Sequence, residues 1–255
     1  AQKVTGGTFH SFAMQTLRRF AKSVGYDSTF TVLDQSDSED VINLIRTQLN
    51  LEKSSKWFPK KTTLGRIISF SNNTRTEIDD IIEKDYPRYR DFKDEINFIA
   101  SEYGKYKKKA NLMDYDDLLL NLKVLLKENE AARKELNSRY KFVMVDEYQD
   151  SNRLQHEIVL LLGGKSQNIM AVGDDAQSIY AFRGANFQNI MFFPESFSDC
   201  KLFKIEENYR STPAILDFTN QIIEDALFKY KKKLYTQRKS DLIPKIISCG
   251  DERLQ

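Results

Sequence analysis

After Asp114 the sequence alternates between short apolar runs and longer runs with helical spacing, and this alternation restricts the fold more than any other feature. KFVMV (141–145), NIMAV (168–172) and KLFKI (201–205) read as buried strands. Between and around them DYDDLLLNLKVLLKEN, NRLQHEIVLLL (152–162), a segment near 186–191 and PAILDFTNQIIEDAL (213–227) read as helices. The first of these opens with acids, which suit the positive end of a helix dipole. Strands alternating with helices predict an α/β fold with a parallel sheet covered on both faces. IPKIIS, near the C-terminus, offers one further short strand.

The first half follows a different pattern. Residues 3–8 read as a short strand and turn that feed a helix from His10 to Ser23, with Phe12, Leu17, Phe20 and Ala21 near one face and Gly25 closing it. From about Ser36 to Ala110 the periodicity is almost purely helical, broken at Trp57-Phe58-Pro59, which predicts an all-helical subdomain. Ten Gly and five Pro in 255 residues, with 40% hydrophobic and 30% charged residues, exclude a disordered or fibrous chain. The net charge of +2 neither demands a polyanionic partner nor excludes one. Cys200 and Cys249 have no CxxC spacing, so neither a disulfide framework nor a zinc site is legible, as suits a reducing cytoplasm. No apolar run approaches the roughly eighteen residues of a membrane span. The chain opens on Ala rather than Met, which points to a processed or engineered piece.

Ligands of open α/β sheets bind beyond the carboxyl ends of the strands. Each predicted strand ends there in reactive residues: Asp146-Glu147, then Gly173-Asp174-Asp175 with Gln177, then Glu206-Glu207-Asn208-Tyr209-Arg210. Singly, each is a solvated strand end or a helix cap; together they predict one collected site. Phosphoryl transfer from a nucleotide uses this set: an Asp for Mg²⁺, a carboxylate or Gln for the attacking water, an Arg for charge developing on the γ-phosphate. Asp146 fits the metal role and Glu147 the base role. Neighbours on an extended backbone point to opposite faces, so a turn must begin at Glu147 to bring both to one ligand. Asp150 serves equally as a helix cap or as part of the site.

Such a site needs a phosphate loop, G-x-x-x-x-G-K-[ST], between a strand and a helix. In Gly164-Lys165-Ser166 the first Gly of that pattern would fall at Val159, inside an apolar helix, and the connection runs from helix to strand. GGKS therefore reads as a helix C-cap and turn. The chain carries the metal half of an ATP site without the phosphate half.

TFHSFA (8–13), VDEYQDSNRLQ (145–155), VGDDAQSIYAFRGA (172–185) and EENYRST (206–212), in this order, resemble successive motifs of the superfamily 1 DNA helicases of the UvrD/Rep/PcrA group. The resemblance spans nearly the whole chain. It implies part of a RecA-like P-loop NTPase domain, 1A, at residues 1–25 and 114–222, a helical insertion, 1B, at 26–113, and the start of domain 2A at 223–255. By resemblance Asp146 would ligate Mg²⁺, Glu147 would polarise the attacking water, and Gln177 would sense the γ-phosphate of ATP. Tyr209 would stack on the adenine and Arg210 would reach the γ-phosphate. Thr8, Phe9 and His10 would line the path of single-stranded DNA, Tyr180 and Phe182 would offer faces to bases, and Arg183 would anchor that loop. Base stacking contributes roughly 1 to 3 kcal/mol per base and tolerates any sequence. Phe182 stands where the family usually has Trp, a smaller stacking face. The family's phosphate-loop motif would lie upstream of Ala1 and its later motifs beyond Gln255.

The expected function is therefore that of a fragment of an ATP-dependent DNA helicase. The whole would move 3′ to 5′ on single-stranded DNA, engage single-strand/duplex junctions and serve repair or replication, while the fragment alone would be inactive. The alternative is a DNA- or partner-binding module without a phosphate loop and without ATPase activity. Lys56-Trp57-Phe58-Pro59-Lys60-Lys61 interleaves cations and aromatics as a duplex contact does, with Trp57 expected half in the core. Lys105–Lys109 and Lys229–Lys233 read as solvated helix ends, and His156 as an ordinary helical residue without metal partners.

Overall fold

The computed structural model describes residues 4–49, 57–163, 168–180, 184–245 and 247–248. Thr8 starts α1 (Phe9–Phe20) by accepting the Ser11 amide at 3.2 Å on its hydroxyl oxygen. A 3₁₀ turn at Ala21–Val24 continues it to Gly25, whose φ of 74° stops the helix in the left-handed region that glycine enters without a Cβ penalty. Residues 4–8 lead in as irregular chain rather than the expected strand, since among the described residues no strand lies alongside to pair with them.

The chain then leaves through β1 (Thr31–Val32) and returns through β2 (Leu112–Met113). The two pair in parallel, Thr31 opposite Leu112 and Val32 opposite Met113, so the ends of the intervening segment are held side by side. That segment contains α2 (Gln35–Gln48), α3 (Lys61–Thr74), α4 (Ile78–Asp85) and α5 (Lys93–Lys109), as its mostly helical periodicity predicts. Its apolar stripes meet in a core of their own, built on Ile42, Leu64, Ile67, Ile82, Ile96 and Ile99. Where α5 gives way to β2, Lys107 is buried and pairs with Asp114 at 2.5 Å and Asp117 at 2.7 Å, while the Tyr103 hydroxyl donates to Asp114 at 2.8 Å.

Asp114 and Asp117 also form a reciprocal capping box that opens α6 (Tyr115–Glu128). Leu118, Leu119, Leu122, Leu125 and Leu126 bury this helix against α1 and α8 (Arg153–Gly163) in a second core. α7 (Glu130–Arg139), capped by Asn129, lies between α6 and β3 (Val143–Val145). β3 pairs in parallel with β4 (Ile169–Ala171), with Met144 opposite Met170.

The remaining strand expectations are corrected. Residues 201–205 are irregular, with Phe203 82% and Ile205 83% exposed, because a parallel strand needs a neighbour and none lies beside this segment among the described residues. Residues 243–245 and 247–248 are likewise outside any strand. α9 (Gln188–Met191) and α10 (Pro213–Glu224) complete the elements. The described residues thus form an α/β chain of mixed helices with two small parallel sheets. No helix among the described residues is long and apolar enough to cross a membrane.

Candidate functional site

The turn that two adjacent acids require is present. Glu147 has φ 50° and ψ 43°, left-handed values that cost a non-glycine residue on the order of 1 kcal/mol or more. Its amide bonds Asp146 Oδ1 at 3.0 Å, and a 3₁₀ turn, Tyr148–Asp150, follows at once. Tyr148 fixes this turn from inside: its amide bonds the Val172 carbonyl at 2.9 Å, and its buried hydroxyl shares a 2.6 Å hydrogen bond with His156 Nδ1. Burial pushes the Tyr148 phenol up and the His156 imidazole down, so both are neutral at pH 7. With Tyr148 anchored, Asp146 and Glu147 stand exposed at the end of β3.

The loop after β4 is joined to this turn through one side chain. Gln149, 1% exposed, donates to Glu147 Oε2 at 2.7 Å and accepts the Asp174 amide at 3.0 Å. A Cβ on Gly173 would lie 2.5 Å from Gln149 Oε1, so any larger residue there would have to displace that buried side chain. Asp174 in turn accepts the Gln177 side-chain amide at 2.9 Å and pairs with Lys232, which also meets Asp175 at 2.6 Å. Burial alone would raise the Asp174 pKa, but Lys232, Gln177 and the Ala176 amide outweigh it and hold the carboxyl below its ordinary range.

Thr8, Phe9 and His10 line a cavity of about 440 Å³ together with Asp146 and the edge of β3. The residues expected on the DNA path are thus brought beside the expected metal ligand. His10 packs edge-on against Tyr115 at 5.7 Å between ring centres, and burial lowers its pKa. Tyr180 is 38% exposed, and its carbonyl accepts the Ala185 amide at 3.3 Å. Phe182 and Arg183 lie outside the described residues.

The third cluster joins the other two only indirectly. Glu207 bridges in parallel to Tyr235, and the Lys233 amide bonds Glu206 Oε1 at 2.7 Å, on the same stretch whose Lys232 holds Asp174 and Asp175. Tyr209 is 76% exposed with its hydroxyl on Glu207 at 2.8 Å, and Arg210 is exposed. Among the described residues no hydrogen bond or ion pair links Arg210 to Asp146 or Glu147.

Asp150 does not cap α8. Asn152 and Gln155 do so reciprocally, at 3.0 and 2.9 Å. Among the described residues Asp150 Oδ1 is buried without a hydrogen-bond partner, and burial together with the nearby Glu147 charge pushes its carboxyl up. Among the described residues no three His, Cys, Asp or Glu side chains converge to hold a metal by themselves. Mg²⁺ takes one or two carboxylates and completes its shell with water and substrate phosphates, and Asp146, exposed with its Oδ1 on the Glu147 amide, is a carboxylate of the type such a metal uses.

Three expectations about side patches are corrected. Trp57 is 80% exposed and Phe58, not Trp57, enters the helical core; Lys61 pairs with Asp40, and Lys56 lies outside the described residues. The run at Lys105–Lys109 is not simply solvated, since Lys107 is buried on two aspartates and Lys108 lies 3.9 Å over the Tyr26 ring. In the run at Lys229–Lys233, Lys229 caps α10 on the Ile223 carbonyl at 3.0 Å and Lys232 neutralises the two acids after β4. The GGKS turn and Cys249 fall outside the described residues, apart from Gly163, which ends α8. Gln149 and Lys232 were missed; the only signals were a Gln two residues beyond the acid pair and two adjacent acids in need of a counter-charge.

The pattern of the UvrD/REP helicase N-terminal domain matches residues 1–198. The ATP-dependent DNA helicase PcrA of Staphylococcus epidermidis is 33% identical to this chain over 239 residues, covering 92% of the chain and 32% of that relative. The protein of the same name from Staphylococcus aureus is 31% identical over 239 residues, with the same coverage. The chain therefore spans about a third of the length of these relatives.

Proposed function

The chain belongs to the UvrD/Rep helicase family, and on that premise we propose that it forms part of an ATP-driven DNA motor, in which β3 and β4 present the hydrolytic residues. Asp146 would hold Mg²⁺, and Glu147 positions and deprotonates the attacking water, a role that its left-handed turn supports. Gln177, tied to Asp174, reports the γ-phosphate, and Arg210 and Tyr209 reach the nucleotide from the segment braced by 230–235. The exposure of Tyr209 suits stacking on a base. Mg²⁺ would neutralise charge on the phosphates when bound.

Thr8, Phe9, His10, Tyr180, Phe182 and Arg183 contact single-stranded DNA in this reading, with movement 3′ to 5′ toward a single-strand/duplex junction during repair or replication in the cytoplasm. The self-contained core of α2 to α5, entered and left through β1 and β2, supports assigning residues 26–113 to subdomain 1B, with 1–25 and 114–222 in a RecA-like domain 1A and 223–255 opening 2A. The observation that carries the proposal is the Asp146–Glu147 turn bonded through Gln149 to the loop of Gln177. Alone, the 255 residues hydrolyse no ATP, because no phosphate loop lies among them. In the intact protein Glu147→Gln is expected to bind ATP with unchanged affinity and to lose hydrolysis by about 10²-fold or more. Normal turnover by that variant would refute the base assignment.

A further inference from the structure

We infer that Gln149 is a positioning residue: its side chain sets the Glu147 carboxylate and ties it to the loop of Asp174 and Gln177, so that the two strand ends move as one. This inference rests on the helicase reading for what Glu147 does, and on geometry alone for the tie.

A buried glutamine has two donor protons and an acceptor oxygen to satisfy, and here both ends are engaged by functional segments. The amide nitrogen donates to Glu147 Oε2 at 2.7 Å and the carbonyl oxygen accepts the Asp174 amide at 3.0 Å. The backbone of the same residue takes a third contact, from the Ser178 hydroxyl to its carbonyl at 3.3 Å, one residue past Gln177. Gly173 leaves room for this, since a Cβ there would press on Gln149 Oε1 and on Ile190 Cδ1, each at 2.5 Å. Glu147 itself is exposed and left-handed, so neither packing nor a preferred backbone well holds its carboxylate. Among the described residues, Gln149 is the side chain that hydrogen-bonds it. A displacement of the loop that carries Gln177 therefore reaches Glu147 through two hydrogen bonds of one rigid amide.

Two variants separate the halves of the tie. Gln149→Glu keeps an oxygen for the Asp174 amide but sets a like charge against Glu147. Gln149→Leu removes both contacts at similar volume. In the 255-residue chain, hydrogen exchange at the Asp174 amide is expected to match wild type in Gln149→Glu and to accelerate about tenfold or more in Gln149→Leu. In the intact protein, DNA-stimulated turnover of Gln149→Glu should fall about 10- to 100-fold with the KM for ATP unchanged. Gly173→Ala, which pushes the loop off Gln149, should reproduce the exchange phenotype of Gln149→Leu and serves if that variant does not fold. Wild-type exchange at Asp174 in both Gln149→Leu and Gly173→Ala, or wild-type turnover in Gln149→Glu, overturns the inference. If the intact wild type shows no DNA-stimulated hydrolysis, the helicase reading falls, while the exchange measurement still decides whether the tie exists.

Discussion

Asn73, in the last turn of α3, accepts a hydrogen bond at 2.7 Å from the side-chain amide of Asn152, the residue that caps α8 just after the acid turn. The same Asn73 donates to Asp116 at 2.8 Å in the first turn of α6. A Cβ on Gly184 would come 3.3 Å from Thr74, so Gly184 also lies against this corner. The helical segment between β1 and β2 thus meets Asn152, just after the acid turn, and Gly184 at one corner.

Removing that corner should be costly. Asn73→Ala leaves the Asn152 amide and the Asp116 carboxyl each short of a partner, and should lower stability by about 1 to 3 kcal/mol in urea denaturation. Adding Asn152→Ala should cost less than the sum of the two single changes, by about 0.5 kcal/mol or more. Strict additivity would mean the contact contributes nothing.

Asp116 supplies a pH dependence. Burial, with the Asp114 charge second, raises its pKa to about 6 from the model-compound value of 3.8. The folded chain therefore binds the proton more tightly than the unfolded chain. The stabilisation from the neutral carboxyl is complete below 3.8 and is lost as pH rises through 6. Asp116→Asn should gain up to about 3 kcal/mol over wild type at pH 7.5, taking about 1.4 kcal/mol per pKa unit, and the gain should vanish near pH 4. A gain independent of pH would assign the effect to packing.

Lys107 is the buried cation between Asp114 and Asp117, with its side chain 4% exposed. Lys107→Met leaves two aspartates without their counter-charge, one of them the N-cap of α6, and should destabilise by about 3 to 5 kcal/mol. A melting temperature near that of wild type would show that the capping box suffices.

Lys232 holds the stretch that braces the Glu206–Arg210 segment, through Asp174 and through Asp175, whose side chain is 4% exposed. Lys232→Ala should release residues 230–235, read as faster amide exchange at Lys233 and Tyr235 than at α6. Unchanged exchange would mean that the Tyr230 contacts to Asp175 and to the carbonyls of Ile190 and Met191 hold the segment by themselves.

Helical periodicity was the most legible signal. The leucine run of α6, the helical stretch between β1 and β2, and the strands around Met144 and Met170 lie within a few residues of where spacing places them. The need for a turn at Glu147 was also legible, because alternation along an extended backbone forbids two adjacent acids on one face. What failed depended on partners. KLFKI has the composition of a strand but, among the described residues, no neighbour to pair with, and the pair β1 and β2 is too short to leave a pattern. Gln149, Asn73, Lys107 and Lys232 reach partners 25, 79, 7 and 57 residues away in sequence, and neither composition nor period encodes which buried polar group will find which partner.

The parallel pairing of β1 with β2 bears on how this fold changes its length. Antiparallel strands tolerate a loop of two residues between them, but parallel strands need a return path of about a dozen residues or more. The segment between Val32 and Leu112 therefore has a floor on its size and no ceiling. Lineages that reshape this region have room to enlarge it, whereas trimming it to a tight loop would tear out the clamp at its base.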